Sequence, residues 1–215
     1  MLGKHPGWVP NPAENLVPRL SAMGYTCSLV SQKLNRYLRM ADIFWTLFRR
    51  RTLFDIVCLQ VYSGPSFVVV DGASWICQLF HKPLVMVLHG GDLPEFFAQR
   101  PRWGQRVLSR AHAIVTPSRF LARAMAGYGF QAQVIPNAID LEKYPFRLRS
   151  EVKPALLWMR TFHAIYNPLL AVEVISELRK SYPQATLTMA GQEKGMLVQV
   201  QQLVHSLGLQ DAVRL

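Results

Sequence analysis

Two short stretches carry residue types that could do chemistry. The first is His89-Gly90-Gly91-Asp92, which follows the continuous apolar run of residues 84–88. Two glycines allow a backbone to approach a ligand closely. An imidazole beside them can hydrogen-bond a sugar hydroxyl or answer a developing charge. The second is Arg160, directly after the apolar run of residues 155–159 and shortly before Asn167-Pro168. A guanidinium offers a planar fork of donors, and a helix N-terminus behind it offers free N–H groups, so the pair suits a diphosphate. Gly191 follows the strand-like stretch of residues 186–190 and could admit a nucleotide. Each also has a plain reading: His89 as a satisfied structural group at a strand end, Arg160 as a surface cation.

Other chemistries find no pattern. The chain has no GxGxxG fingerprint, no Walker loop and no HExxH. Carboxylates are sparse near the strand ends, which argues against a two-carboxylate hydrolase. No metal ligand spacing occurs, so no metal is expected.

The elements that must position these residues alternate between strand and helix. Asn11 and Pro12 form an N-cap and first-turn pair for a helix closing near Gly24, and residues 25–30 read as a strand. Residues 35–51 read as a helix of double character, with Phe44, Trp45 and Phe48 beside Arg36, Arg39, Arg49, Arg50 and Arg51. It fits first a crossover helix packed on a sheet, and behind that a helix lying on an anionic bilayer. Strands follow at 55–61, 84–88, 113–115 and 133–135, with helices after the first three, near 67–81, 101–110 and 119–126. The 84–88 run is apolar throughout, as a central parallel strand should be.

Residues 134–146 then read as a hinge: a strand ends, Pro136 removes a donor, Asn137 favours a turn, and Pro145 precedes a fresh strand–helix–strand pattern. Strands at 155–159, 185–190 and 211–215 alternate with helices from Asn167-Pro168 and at 196–207. The expected fold class is therefore α/β, with two Rossmann-like domains. They span 1–140 and 154–215, joined by a linker at 141–153. The first sheet would lack its opening strand and the second would be incomplete. A ligand cleft between the two domains is expected.

Half of the 215 residues are hydrophobic, so a packed core is expected. The net charge of +11 is uneven: residues 1–150 hold 18 Lys and Arg against 8 Asp and Glu, and residues 151–215 hold 6 against 5. A basic first domain points to a polyanionic partner, either a phosphorylated substrate or an anionic membrane surface. Nucleic acid is not expected, because aromatic and basic residues do not alternate on any strand. Cys27, Cys58 and Cys77 lie in apolar runs and read as buried, reduced thiols. No run reaches a membrane-spanning length. The expected location is cytoplasmic, with a peripheral place on the inner membrane face for the bilayer-docking alternative, in which the chain is a non-catalytic basic module.

Taken together, these pieces resemble the retaining glycosyltransferases of family 4, with the two-Rossmann GT-B architecture. The resemblance rests on Leu88-His89-Gly90-Gly91-Asp92, Val115-Thr116-Pro117-Ser118, Val134-Ile135-Pro136-Asn137-Ala138-Ile139-Asp140, Leu157-Trp158-Met159-Arg160, Asn167-Pro168 and Met189-Ala190-Gly191, in that order. It implies transfer of a sugar from a nucleotide-diphosphate donor to a glycan or lipid-linked acceptor with retention, and no cofactor beyond that donor substrate. It assigns His89 to the transferring sugar and Arg160 to the leaving diphosphate. Gly7, Gly90, Gly91, Asp92, Ser118, Asn137 and Gly191 become donor- or substrate-binding positions.

The chain departs from the family at several points. Met159 stands where the family has Gly, Tyr166 near the family's phosphate-binding Lys, and Glu193 where a second Gly is common. The family's Glu-containing donor motif would fall beyond Leu215. A fragment with little or no activity of its own is therefore expected.

Overall fold

The computed structural model describes residues 11–139, 141–148, 150 and 153–215, leaving the Lys143 side chain aside. The chain divides into two compact units, Met1–Lys143 and Tyr144–Leu215.

The first unit holds a four-stranded parallel sheet in the order β1 (Val57–Val61), β2 (Leu84–Leu88), β3 (Ala113–Thr116), β4 (Gln133–Val134). Register runs from Val57 opposite Leu84 to Val61 opposite Leu88. Leu84, Met86 and Leu88 are almost fully buried, which makes β2 the centre of the core. Among the described residues six α-helices accompany it: α1 (Pro12–Ala22), α2 (Arg36–Arg49), α3 (Phe67–Leu79), α4 (Leu93–Gln99), α5 (Pro101–Leu108) and α6 (Arg119–Ala126). α1 opens with a capping box from Asn11 and Glu14.

Aromatic packing ties the helices together. Phe67 meets Phe96 at 5.0 Å and Trp103 edge-on at 4.9 Å. Gly72 of α3 lies against Phe44 of α2, and Gly104 of α5 against Phe97. A β-carbon on either glycine would stand 2.4 Å from the ring. An ionic knot adds to this. Asp71 on α3 accepts from Trp103 Nε1 at 2.7 Å, from Arg106 at 2.7 Å and from Arg110 at 2.6 Å.

Two sequence readings fail in this unit. Residues 25–30 form no strand, and Tyr25, Leu29 and Val30 are exposed. Their β-branched and aromatic content had no neighbouring strand to pair with, and pairing rather than propensity makes a strand. Conversely, α4 was not anticipated. Its Leu93, Phe96 and Phe97 fill the core at helical spacing, behind Pro94 in the first turn.

The second unit is a parallel sheet in the order β5 (Ala155–Met159), β6 (Thr186–Ala190), β7 (Val213–Arg214), with α7 (Pro168–Ser181) and α8 (Leu197–Ser206). Val172 and Ile175 from α7, Leu187 and Met189 from β6, and Val200 from α8 form its core. An Asn just before the first turn of α7 would ordinarily cap it through its side chain. Instead Asn167 takes the left-handed conformation, φ 43°, and its side chain makes no cap. Asn tolerates that region better than most residues, and the strained turn uses it for that.

The cysteine reading also needs correction. Cys77 is buried, with its thiol pushed up to about 11 by burial. Cys58 is exposed and Cys27 half-buried, because among the described residues β1 lies at the edge of its sheet and residues 25–30 join no sheet. Among the described residues, no helix is long and apolar enough to cross a membrane.

Candidate functional site

The parallel sheet of the first unit brings strand ends together along one rim. Val61 and Leu88 are register partners, so the residues just after β1 and β2 become neighbours. His89 extends the ladder, its N–H donating to Val61 O at 2.8 Å. Its imidazole is buried and lies 18° from parallel with the Tyr62 ring, centroids 5.0 Å apart. Nε2 sits 2.7 Å from Gln60 Oε1. With an amide oxygen facing it, Nε2 carries the proton and Nδ1 is the acceptor. Burial holds the imidazole below its ordinary value, so His89 is neutral at neutral pH.

Gly90 then turns the chain with φ +94°, a conformation that L side chains rarely adopt. Gly91 is exposed, with open space where a side chain would stand. Asp92 precedes α4 without capping it and accepts from Ser63 Oγ at 2.5 Å. The structure thus gathers His89, Gly90, Gly91 and Asp92 with Gln60, Tyr62 and Ser63 of the β1 end. The last three escaped the sequence reading. Their signal was positional: they end the strand that must flank β2.

Ser118 and Asn137 stand farther along this sheet. Ser118 follows β3 and its Oγ accepts from Leu121 N at 3.2 Å, capping α6. Asn137 is exposed beyond β4. Gly7 lies outside the described residues.

The second unit repeats the arrangement of strand ends. Arg160 N–H donates to Ala190 O at 3.1 Å, extending β5 beside β6. Its guanidinium lies over the Tyr166 ring, 5.5 Å from the centroid. It is exposed, and no carboxylate pairs with it among the described residues. Gly191 is adjacent: a β-carbon there would stand 1.6 Å from Arg160 O. Glu193 has a structural task. Its carboxylate accepts from Gly195 N at 2.5 Å and from Leu197 N at 2.9 Å, closing the start of α8. Among the described residues, no three His, Cys, Asp or Glu side chains converge as metal ligands.

Comparison with known proteins bears on the fold that carries these residues. The family model described as Glycosyltransferase Family 4 matches residues 9–143. Among curated proteins none gives a significant match. Among solved structures, a mutant of TarM from S. aureus in complex with fondaparinux, alpha-GlcNAc-glycerol and UDP is similar over 81% of this chain and 36% of that one. The TM-score is 0.55 at 9% identity. A glycosyltransferase from Rickettsia africae ESF-5 is similar over 93% of this chain and 56% of that one, with TM-score 0.55 at 14% identity. A provisionally assigned UDP-N-acetylglucosamine 2-epimerase from Listeria monocytogenes covers 94% and 57%, with TM-score 0.50 at 14% identity. At these identities the likeness is one of fold, that of paired α/β Rossmann-like units. The chain spans 36% to 57% of the lengths of these structures.

Proposed function

The chain belongs to glycosyltransferase family 4, and from that premise we propose that it serves the transfer of a sugar from a nucleotide-diphosphate donor to a glycan or lipid-linked acceptor, with retention. The observation that carries the reading is the state of His89: a buried, neutral imidazole, oriented by Gln60 and Tyr62, next to a backbone opened by Gly90 and Gly91.

Cleavage of a glycosidic bond to a diphosphate develops positive charge on the sugar and negative charge on the leaving group. An imidazolium beside that sugar would oppose the first of these. A neutral ring clamped by Gln60 instead offers Nδ1 as an acceptor to a sugar hydroxyl, fixing the sugar without adding positive charge. Gly90 and Gly91 leave room for the sugar to lie against backbone. Asp92, held by Ser63, accepts further hydroxyl donors.

Arg160 answers the other charge. Its guanidinium is exposed and unpaired by any described carboxylate, so its donors are open to a diphosphate. Gly191 lets β6 end tightly against the Arg160 backbone, which fixes where that side chain starts. The uncapped first turn of α7 adds partial positive charge nearby in sequence. Two of the similar structures bear on the donor: one was solved with UDP, and another is assigned to a UDP-sugar epimerase.

Saturation-transfer NMR of the 215-residue chain with UDP, GDP, ADP and their sugars tests the reading. Contacts to the diphosphate-bearing nucleotide, lost in Arg160→Ala, are expected. No saturation transfer to any nucleoside diphosphate would overturn it.

A further inference from the structure

The core of the first unit uses one face of α2 and leaves a second apolar face in solvent. Ile43 and Phe44 pack on the core and Leu47 is buried within it. On the other side Leu38, Ala41, Trp45 and Phe48 recur at intervals of three and four, which makes one helical stripe. Leu38, Trp45 and Phe48 are between 51% and 64% exposed. α3 lies alongside: Phe44 seats on Gly72, and Phe48 meets Phe80 with ring centroids 5.6 Å apart. α3 itself exposes Trp75 and Leu79. A chain that only had to fold would place polar residues at Trp45 and Phe48.

Cations frame this stripe. From Lys33 to Leu53 there are six Lys and Arg against a single acid, Asp42. Arg49, Arg50 and Arg51 are exposed at the C-terminal end of α2. The Arg51 guanidinium lies over both the Phe48 and Phe80 rings, at 5.3 and 5.2 Å, so charge and aromatic surface form one patch. Large aromatics with arginines on the rim match the headgroup layer of a bilayer, where indole and phenyl rings sit at the acyl boundary and guanidinium groups meet phosphate.

We propose that the exposed α2 face docks the protein on an anionic lipid bilayer. Trp45 and Phe48 enter the interfacial layer while Arg49, Arg50 and Arg51 pair with lipid phosphates. Charge selects this occupant. A two-fold contact between copies of this face would set the same cations against one another, whereas an anionic surface neutralises them. The inference stands apart from the sugar-transfer reading, since it uses none of the same residues.

Flotation of the 215-residue chain with vesicles is the test, using phosphatidylcholine alone and phosphatidylcholine mixed equally with phosphatidylglycerol. Binding is expected only to the mixed vesicles and should weaken as salt is raised. Reversal of Arg49, Arg50 and Arg51 to Glu should weaken partitioning on the order of a hundredfold or more, at about fivefold for each cation lost. Trp45→Ser should weaken it about tenfold. Brominated phosphatidylcholine in the mixed vesicles should quench the wild-type tryptophan emission, and less so in Trp45→Phe, which decides the matter even if the triple variant does not fold. Equal binding to both vesicle types, or quenching unchanged in Trp45→Phe, overturns the proposal. So does a concentration-dependent dimer that Trp45→Ser dissociates in a chain that ignores vesicles; the face would then join two copies.

Discussion

A β-carbon on Gly191 would stand 1.6 Å from the carbonyl oxygen of Arg160 and 2.5 Å from its carbonyl carbon. The obstacle is backbone, so no side-chain rotation relieves it. The residue before the glycine holds the two segments together, since Ala190 O accepts from Arg160 N–H. The glycine is therefore required by the end of β5 whatever ligand is present. Gly191→Ala should destabilise the second unit by on the order of 3 kcal/mol, since overpacking against a fixed backbone has no cheap relaxation. Urea unfolding followed by far-UV circular dichroism would show it. Unchanged stability would mean that the turn after β6 opens readily enough to admit a methyl group.

Glu193 changes how the second unit can meet an anion. In closing the start of α8 it places a carboxylate where free N–H groups would otherwise point. That leaves Arg160 and the uncapped first turn of α7 as the cationic side of the rim. Arg160→Ala should weaken nucleoside-diphosphate binding about ten- to hundredfold, the range for one charged hydrogen-bonding group. Arg160→Lys should recover only part of it, because an ammonium keeps the charge and loses both the fork and the stacking on Tyr166. Calorimetric titration with UDP and GDP checks both variants. Equal affinity for wild type and Arg160→Ala would remove Arg160 from the proposal.

Gln60 is the partner that fixes the His89 proton on Nε2. Gln60→Leu keeps the bulk and deletes the acceptor, so a buried N–H loses its bond. The expected cost is about 1–2 kcal/mol. The freed ring can also change tautomer, and long-range nitrogen–proton correlation spectra of the imidazole would report it. If His89 binds the sugar through Nδ1, saturation transfer to the sugar protons should fall more than stability alone explains. Gln60→Glu should act oppositely on the charge: a carboxylate there favours the imidazolium and should raise the His89 pKa.

The sheets were legible because their strands are apolar runs closed by turn residues. Leu84–Leu88 and Ala155–Met159 fall where the sequence put them. His89, Arg160 and Gly191 were legible as strand-end residues for the same reason. What was not legible depended on neighbours. Residues 25–30 have strand-like composition and no strand beside them. α4 is only seven residues long and follows a glycine turn, so its apolar spacing was easily lost. Gln60 and Tyr62 look ordinary in sequence, and become notable only because Val61 pairs with Leu88 and sets them against His89. Glu193 could be seen as a departure from the family, but its capping task needed the structure.

Acid sensitivity should separate into two windows. Burial alone would raise the Asp71 carboxyl, but hydrogen bonds from Arg110, Trp103 and Arg106 outweigh it and hold the group below its ordinary value of 3.8. A depressed carboxyl contributes stability that is present above its unfolded value and lost as pH falls through the folded one. His89 is also depressed, from 6.5. Its contribution is likewise complete above that value and lost as pH falls below it, because protonation then favours the unfolded chain. Stability should thus decline first below the ordinary imidazole range and again below the ordinary carboxyl range. Asp71→Asn should abolish only the second decline. It should also cost about 2 kcal/mol at neutral pH, chiefly because Arg110, with only 12% of its side chain exposed, loses its counter-charge. Arg106, at 61%, adds little. Urea midpoints measured across the acid range for wild type, Asp71→Asn and His89→Gln would resolve the two. A wild-type profile superimposable on that of Asp71→Asn would show that the α3–α5 knot contributes nothing to folding.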